Sequence, residues 1–249
     1  MTLYLVPTPL GNLEDATARG LRVLREARAV YCEDTRRTRG LLAHFDIHTP
    51  TLRYDEHDGR GLEKILERLS EGQDLALVSD SGTPVLSDPG VRLVAAARAA
   101  GVRVESLPGP SAVAAAVAGS GFPADSFVFL GFLPRSAGKR KRLLLEAASL
   151  ERTVALYESP FRVVALLETM IEAFGAETRV ALARELSKLH EEWITGTAAQ
   201  ALENLRKKKE ILGEFVVMFF PPPLPGGSHP RRGEGEEEEP EGSPAGEGD

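Results

Sequence analysis

Short apolar runs of strand length alternate with amphipathic segments of helical spacing from the first residues onward, and this alternation constrains the chain more than any other feature. Leu3 to Val6, Ala29 to Cys32, Leu52 to Tyr54, Leu75 to Val78 and Val102 to Leu107 have the length and apolar character of strands. Between them, Asp15 to Glu26, Leu62 to Glu71 and Val91 to Ala100 carry apolar residues at helical spacing with charges on the other face. Leu62, Ile65, Leu66 and Leu69 show the pattern well. Strands joined through helices pair in parallel, so the sequence predicts an α/β fold with a parallel sheet covered by helices.

Pro108-Gly109-Pro110-Ser111 ends this series ahead of an alanine-rich helix, Ala112 to Ala118, with Ser111 placed as its N-cap. The break predicts two α/β domains, residues 1–110 and 111–220. Downstream the order reads strand Phe127 to Leu130, basic helix Gly138 to Leu150, strand Thr153 to Glu158, helix Phe161 to Phe174 and strand Val180 to Arg184. Strand His190 to Thr195, helix Ala198 to Lys209 and strand Phe215 to Phe220 follow. Consecutive strands with no helix between them predict a mixed second sheet. From Pro221 to Asp249 the chain is Pro, Gly, Glu and Ser with almost no large apolar residue, which predicts a disordered acidic tail.

That tail holds 2 arginines against 8 acids, most of the formal charge of −7. The remaining residues carry 28 basic and 29 acidic side chains, so the overall acidity does not exclude a polyanionic substrate. Cys32 is the only cysteine, which excludes an internal disulfide and a thiolate zinc site and predicts a buried strand residue. No apolar stretch approaches the roughly 20 residues of a membrane span, and the first residues lack the basic start and apolar core of a signal peptide. A soluble, cytoplasmic protein is expected.

Ligands of open α/β sheets bind at the carboxyl ends of the strands, and two loops there are unusual. Leu75 to Val78 stops abruptly in Ser79-Asp80-Ser81-Gly82-Thr83-Pro84, and the opening strand runs into Pro7-Thr8-Pro9-Leu10-Gly11-Asn12. Neither carries a dinucleotide fingerprint or a P-loop. Glu33-Asp34-Thr35-Arg36-Arg37 ends a third strand. Asp34 or Thr35 can cap a helix there, yet arginines in a first turn oppose the helix dipole and fit phosphate contact better. Lys139-Arg140-Lys141-Arg142 are four consecutive cations that point all around a helix and form a candidate polyanion site. His44 and His48 have metal-ligand spacing but no third ligand nearby, so no metal is expected. His57, in a loop after a strand, and His190, beside Lys188 and Glu191, are acid–base candidates. No G-x-S-x-G elbow supports a hydrolase.

Val6-Pro7-Thr8-Pro9-Leu10-Gly11-Asn12-Leu13, Glu33-Asp34-Thr35-Arg36, Ser79 to Pro84, Leu107 to Ala112, Gly131-Phe132-Leu133-Pro134-Arg135, Tyr157-Glu158-Ser159-Pro160 and Glu185 to Glu192 together resemble the tetrapyrrole methylase fold family. Within it they are most similar to the branch that methylates small-subunit ribosomal RNA, from residue 2 to about residue 220. The resemblance implies S-adenosylmethionine in the interdomain cleft, a homodimer, and methyl transfer to the ribose 2'-hydroxyl of a cytidine in the decoding region of 16S rRNA, within the small ribosomal subunit. It places cofactor contacts at Leu10, Gly82, Thr83, Pro84, Ser111 and Ala112, and by position only at Leu86 and Tyr157. Ser81 stands where the family is expected to have alanine. The base is expected among Glu33, Asp34, His57, Lys188, His190 and Glu191, and RNA contacts at Arg36, Arg37, His57, Lys139, Arg140, Lys141 and Arg142. Two other readings stay open: a tetrapyrrole methyltransferase would not require the cations, and a non-catalytic RNA-binding protein would not require the Ser79 to Pro84 loop.

Overall fold

A computed structural model of the chain describes residues 1–222, and the acidic tail expected beyond the final strand lies almost wholly outside them. Strands β1 (Thr2–Leu5), β2 (Ala29–Cys32), β3 (Thr51–Arg53), β4 (Leu75–Leu77) and β5 (Arg103–Ser106) form one sheet in the order β3-β2-β4-β1-β5. Every pairing in it is parallel. Helices α1 (Ala18–Glu26) and α2 (Thr35–His44) pack on one face through Val23, Leu24 and Leu42, against Val6, Val30, Ala76 and Val78. Helices α3 (Gly59–Ser70) and α4 (Val91–Ala99) pack on the other through Ile65, Leu69 and Leu93, against Leu3, Tyr31, Leu75 and Leu77. Successive strand residues point to opposite faces, so each buried strand serves both layers. Cys32 is buried in β2.

After α5 (Ala112–Gly119) come β6 (Phe127–Phe132), α6 (Ala137–Ala148), β7 (Thr153–Glu158), α7 (Val163–Phe174), β8 (Arg179–Arg184), β9 (Glu192–Thr197), α8 (Ala198–Lys207) and β10 (Phe215–Phe220). Their sheet runs β6-β7-β10-β8-β9 and is mixed, with β6 and β7 parallel and β10 antiparallel to both its neighbours. Helices α6, α7 and α8 cover one face through Leu144, Leu166, Leu167 and Leu205, while α5 covers the other through Val113, Ala116 and Val117. Among the described residues no helix is long and apolar enough to cross a membrane.

Among the element limits that differ from expectation, three have clear local reasons. Helix α1 starts at Ala18, since Asn12 caps a short 3-10 turn at Leu13–Asp15 and Thr17 accepts from Gly20 N to open the helix proper. Strand β6 continues to Phe132 through a register shift, where Gly131 adopts φ +58. Strand β9 begins at Glu192 because residues 187–191 form a turn in which Glu191 N donates to Lys188 O.

The run Lys139 to Arg142 is corrected more substantially. Arg140 lies on the buried face of α6 with Leu144 and Ala147 and is 7% exposed. Its Nε and Nη2 donate to Thr169 Oγ1 at 3.1 and 2.8 Å, and Nη2 also donates to Ala165 O at 3.2 Å. Arg140 therefore ties α6 to α7 and is turned away from any phosphate in solvent. Lys141 pairs with Glu172 and Arg142 with Glu146, both at the surface. Losing buried hydrogen bonds to a charged group costs about 2–3 kcal/mol. Arg140→Ala should lower the unfolding free energy by roughly that much in a denaturant titration. Lys139→Ala should change it by less than about 0.5 kcal/mol.

Candidate active site

Strands β1 and β4 are neighbours, and the loops leaving their carboxyl ends are joined by hydrogen bonds. Thr8 N donates to Gly82 O and Gly82 N donates to Thr8 O, both at 2.9 Å. Thr8 Oγ1 donates to Ser79 O, Ser79 Oγ to Gly82 O, and Ser81 Oγ to Leu10 O. Thr83 Oγ1 donates to Pro110 O at 2.9 Å, which fastens the pair to the interdomain turn. Gly82 has φ +80, and a Cβ there would lie 3.1 Å from Leu10 Cδ2, so both backbone and space favour glycine.

A cleft of about 410 Å³ opens between this rim and the second domain. Chain topology explains its place: β1 leads to α1 on one face of the sheet and β4 to α4 on the other, so their loops diverge at the switch point where ligands of such sheets bind. The far wall comes from α5, from Tyr157 and Glu158 at the end of β7, and from Phe215 and Val216 of β10. The segment after β8 reaches back over the first loop. A Cβ on Gly11 would collide with the Lys188 side chain, and Ser187 Oγ donates to Asp15 Oδ2.

The expected cofactor positions line this cleft with one exception. Leu10, Gly82, Thr83, Leu86, Ser111, Ala112 and Tyr157 are in its wall, whereas Pro84 is buried behind the rim. Ser111 stands at the N-cap of α5 but makes no side-chain capping bond.

The expected base candidates separate. Glu33 and Lys188 line the cleft; Asp34, His57, His190 and Glu191 do not. Asp34 caps α2 by accepting from Arg36 N at 2.8 Å and pairs with the Arg36 guanidinium, whose hydrogen bonds bring its carboxyl down to about 2. Such a carboxylate is a weak proton acceptor near neutrality. Glu191 is occupied with Ser187 N and Trp193 Nε1, while His57 and His190 are exposed on the surface. Burial alone would lower Lys188, yet hydrogen bonds and charges from Glu185 and Glu214 raise it, so the amine stays protonated. Of the expected RNA contacts, Arg37 lines the cleft, where Nη1 faces Asp80 Oδ2 at 3.6 Å, and Arg36, His57 and Lys139 to Arg142 lie outside it.

Several wall residues escaped sequence reasoning, chiefly the acids Asp80, Asp88, Glu158, Glu185 and Glu214. Asp80 and Asp88 stand in the loop after β4, a signal that could have found them; the others become neighbours only through folding. Burial pushes the Asp88 carboxyl up from its ordinary 3.8 to about 6, with Glu33, Asp80 and Glu214 adding repulsion. Burial likewise raises Glu158, one of whose oxygens is buried without a hydrogen-bond partner.

A carboxyl raised in this way binds its proton more tightly folded than unfolded. Its ionisation therefore costs stability above about pH 6, and that cost fades as the pH falls toward 3.8. Asp88→Asn should raise the melting temperature at about pH 7.5, with the gain shrinking toward pH 4. A scan showing the same shift at both pH values would contradict the assignment.

The family model for Tetrapyrrole (Corrin/Porphyrin) Methylases matches residues 2–202. A ribosomal RNA small subunit methyltransferase I from Thermotoga maritima is 44% identical over 219 residues, covering 87% of this chain and 97% of that protein. The protein of the same name from Vibrio cholerae is 50% identical over 190 residues, covering 76% and 66%. Among solved structures, uroporphyrin-III C-methyl transferase from Thermus thermophilus, complexed with S-adenyl homocysteine, superimposes with a TM-score of 0.61 at 19% identity, covering 88% and 97%. With a family match across most of its length and close relatives of one name, the chain belongs to the tetrapyrrole methylase family, in its ribosomal RNA small subunit methyltransferase I branch.

Proposed function

We propose that this protein transfers the methyl group of S-adenosylmethionine to the ribose 2'-hydroxyl of a cytidine in the decoding region of 16S rRNA. The observation that carries the reading is the interdomain cleft at the β1–β4 switch point, with bare backbone at Gly82 and a wall made of the positions the family resemblance assigns to the cofactor. The cleft fits that group: it is about 410 Å³, has apolar surface in Leu10, Leu86 and Phe132, and collects carboxylates suited to a cationic ligand. Leu10, Gly82, Thr83, Ser111, Ala112 and Tyr157 would hold it, and when bound it supplies an activated, electrophilic methyl group.

The remaining work falls to the chain. The cleft must exclude water and fix the acceptor oxygen in line with the methyl carbon, and a group must accept the hydroxyl proton. Arg36, Arg37, Lys139, Lys141 and Arg142 are solvent-accessible cations suited to RNA phosphates, although four of them already have acidic partners. The reading takes 1–110 and 111–220 as the two domains, a cytoplasmic setting, and a homodimer for which Phe161 and Leu189, 90% and 93% exposed, offer apolar surface.

The test is methyl transfer from labelled cofactor to free 16S rRNA and to the assembled small subunit, with the modified nucleotide mapped to ribose or base. Label on a cytidine ribose is the expected result; label on a base, or on neither substrate, would overturn it. Replacing Arg36, Arg37 and Lys139 by alanine should weaken RNA binding, and the log–log salt slope should flatten by roughly 0.7–0.9 for every phosphate no longer neutralised. Gly82→Val should weaken cofactor binding by about tenfold or more in calorimetry, since a β-branched residue is strained at this φ and crowds Leu10. Circular dichroism should show the fold retained.

A further inference from the structure

Three aromatic residues stand in the wall of the cleft, Phe132, Tyr157 and Phe215, and of these Phe132 alone is exposed, at 57%. Its ring lies 5.5 Å from that of Tyr157, which in turn meets Phe129 edge-on at 4.9 Å. The rings thus run from the layer packed under α5 out to solvent, with Phe132 last.

The backbone is built to put it there. On β6, Val128 and Leu130 turn toward the core beneath α6, α7 and α8, and Phe129 turns toward the α5 side. Strict alternation would send Phe132 with Val128 and Leu130. One extra residue lies between the Phe129–Ala155 and Phe132–Tyr157 pairs, where Gly131 adopts φ +58. Phe132 is thereby turned into the cleft, and Leu133 takes the core position at 3% exposure. Bulges of this kind re-aim side chains beside active sites. The turn that follows is held firmly, since Arg162 Nη2 donates to Leu133 O at 2.6 Å while its Nε faces Glu158 at 3.3 Å. A phenylalanine fixed in place but left open to solvent adds little to the core, so its rigid mount points to an external partner.

Two cations follow it closely. Arg135 and Lys139 are exposed, and neither side chain has a hydrogen-bonded or ion-paired partner among the described residues. Arg36, Arg37, Lys141 and Arg142 all face acids. An aromatic face next to unpaired cations suits single-stranded nucleic acid, in which bases stack on the ring and phosphates follow the charge.

We propose that Phe132 is the platform on which the base of the acceptor nucleotide stacks, with Arg135 and Lys139 on the phosphates beside it, a proposal that rests on the methyl-transfer reading above. A cleft of about 410 Å³ that also holds the methyl donor has no room for a duplex, so the acceptor must leave its own stack to enter. Stacking on Phe132 offsets that loss and holds the attached ribose against the cleft. Every base has a π-face, so the ring positions the nucleotide without choosing its identity.

The experiment uses the full chain with 16S rRNA and the small subunit. Phe132→Ala should lower kcat/KM for RNA by about 5- to 100-fold, with cofactor affinity in calorimetry and oligomeric state in light scattering unchanged. Phe132→Tyr and Phe132→Trp should stay within about threefold of wild type, whereas Phe132→Leu, apolar but without a π-face, should fall with the alanine variant. RNA should quench the added indole of Phe132→Trp beyond any change in wild-type Trp193. Arg135→Ala should flatten the log–log salt slope of RNA binding by roughly 0.7–0.9, and Phe132→Ala should leave that slope alone. Near-normal kcat/KM in Phe132→Ala, a leucine variant as active as the tyrosine one, or a loss confined to cofactor affinity or to self-association would overturn the platform while leaving the methyl-transfer reading standing. A wild-type protein inactive on both substrates would overturn the two together.

Discussion

The paired hydrogen bonds between Thr8 and Gly82 are the constraint on which the rest of the site depends. They extend the pairing of β1 and β4 past the end of the sheet and turn two loops into one rigid edge. That edge exists only because β1 and β4 are neighbours, a consequence of the strand order rather than of chain proximity. Once the edge is set, the interdomain turn has a fixed seat on it through Thr83, and Gly109 lies so near Pro7 that a Cβ would come within 2.8 Å. Glycines recur along this seam because a Cβ would press on Leu10 at Gly82 and on Pro7 at Gly109.

On that seam the protein gathers charge in an unequal way. Acids from both sheets converge inside the cleft, while most of the candidate RNA-binding cations lie outside it. Bringing like charges together is unfavourable and is tolerated here because most of the acids have their own counter-charge or N–H donor. Lys188 illustrates the arrangement: its stem covers Gly11 and its ammonium joins Glu185 to Glu214, so one side chain closes the cleft and quiets two carboxylates. Asp88 is left out of this compensation. Its ionisation therefore costs stability, since burial and the neighbouring acids oppose it.

Much of this is legible in the sequence, for identifiable reasons. Apolar periodicity locates the strands because buried parallel strands read as unbroken apolar runs, and Gly82 is visible because an abrupt Gly/Pro loop after such a run has few structural uses. Other features are hidden by their nature. The environment of Asp88 depends on Glu33 and Glu214, far apart in the chain and adjacent only after folding. Asp34 reads equally as a cap or a catalyst, and the deciding fact is where the Arg36 guanidinium lies. Arg140 is different, because its signal stands in the sequence itself. Spaced four and seven residues before Leu144 and Ala147, it sits in register with the buried stripe of α6, and only the continuous basic run around it conceals the match.

The position of β10 also bears on how the protein is made. Residues 215–220 fill the middle of the second sheet, between β7 and β8, so until they arrive that sheet is two unconnected halves: β6 with β7, and the β8–β9 hairpin. The first sheet needs nothing beyond residue 106 and can close while the chain is still emerging from the ribosome. The second must wait for nearly the whole of the described chain, with the apolar faces of Leu156 and Leu182 meanwhile bare of their central partner. Synthesis thus passes through a stage with one finished domain and one exposed, sticky half-sheet, and that interval is when the nascent protein is most open to chaperone capture or to aggregation.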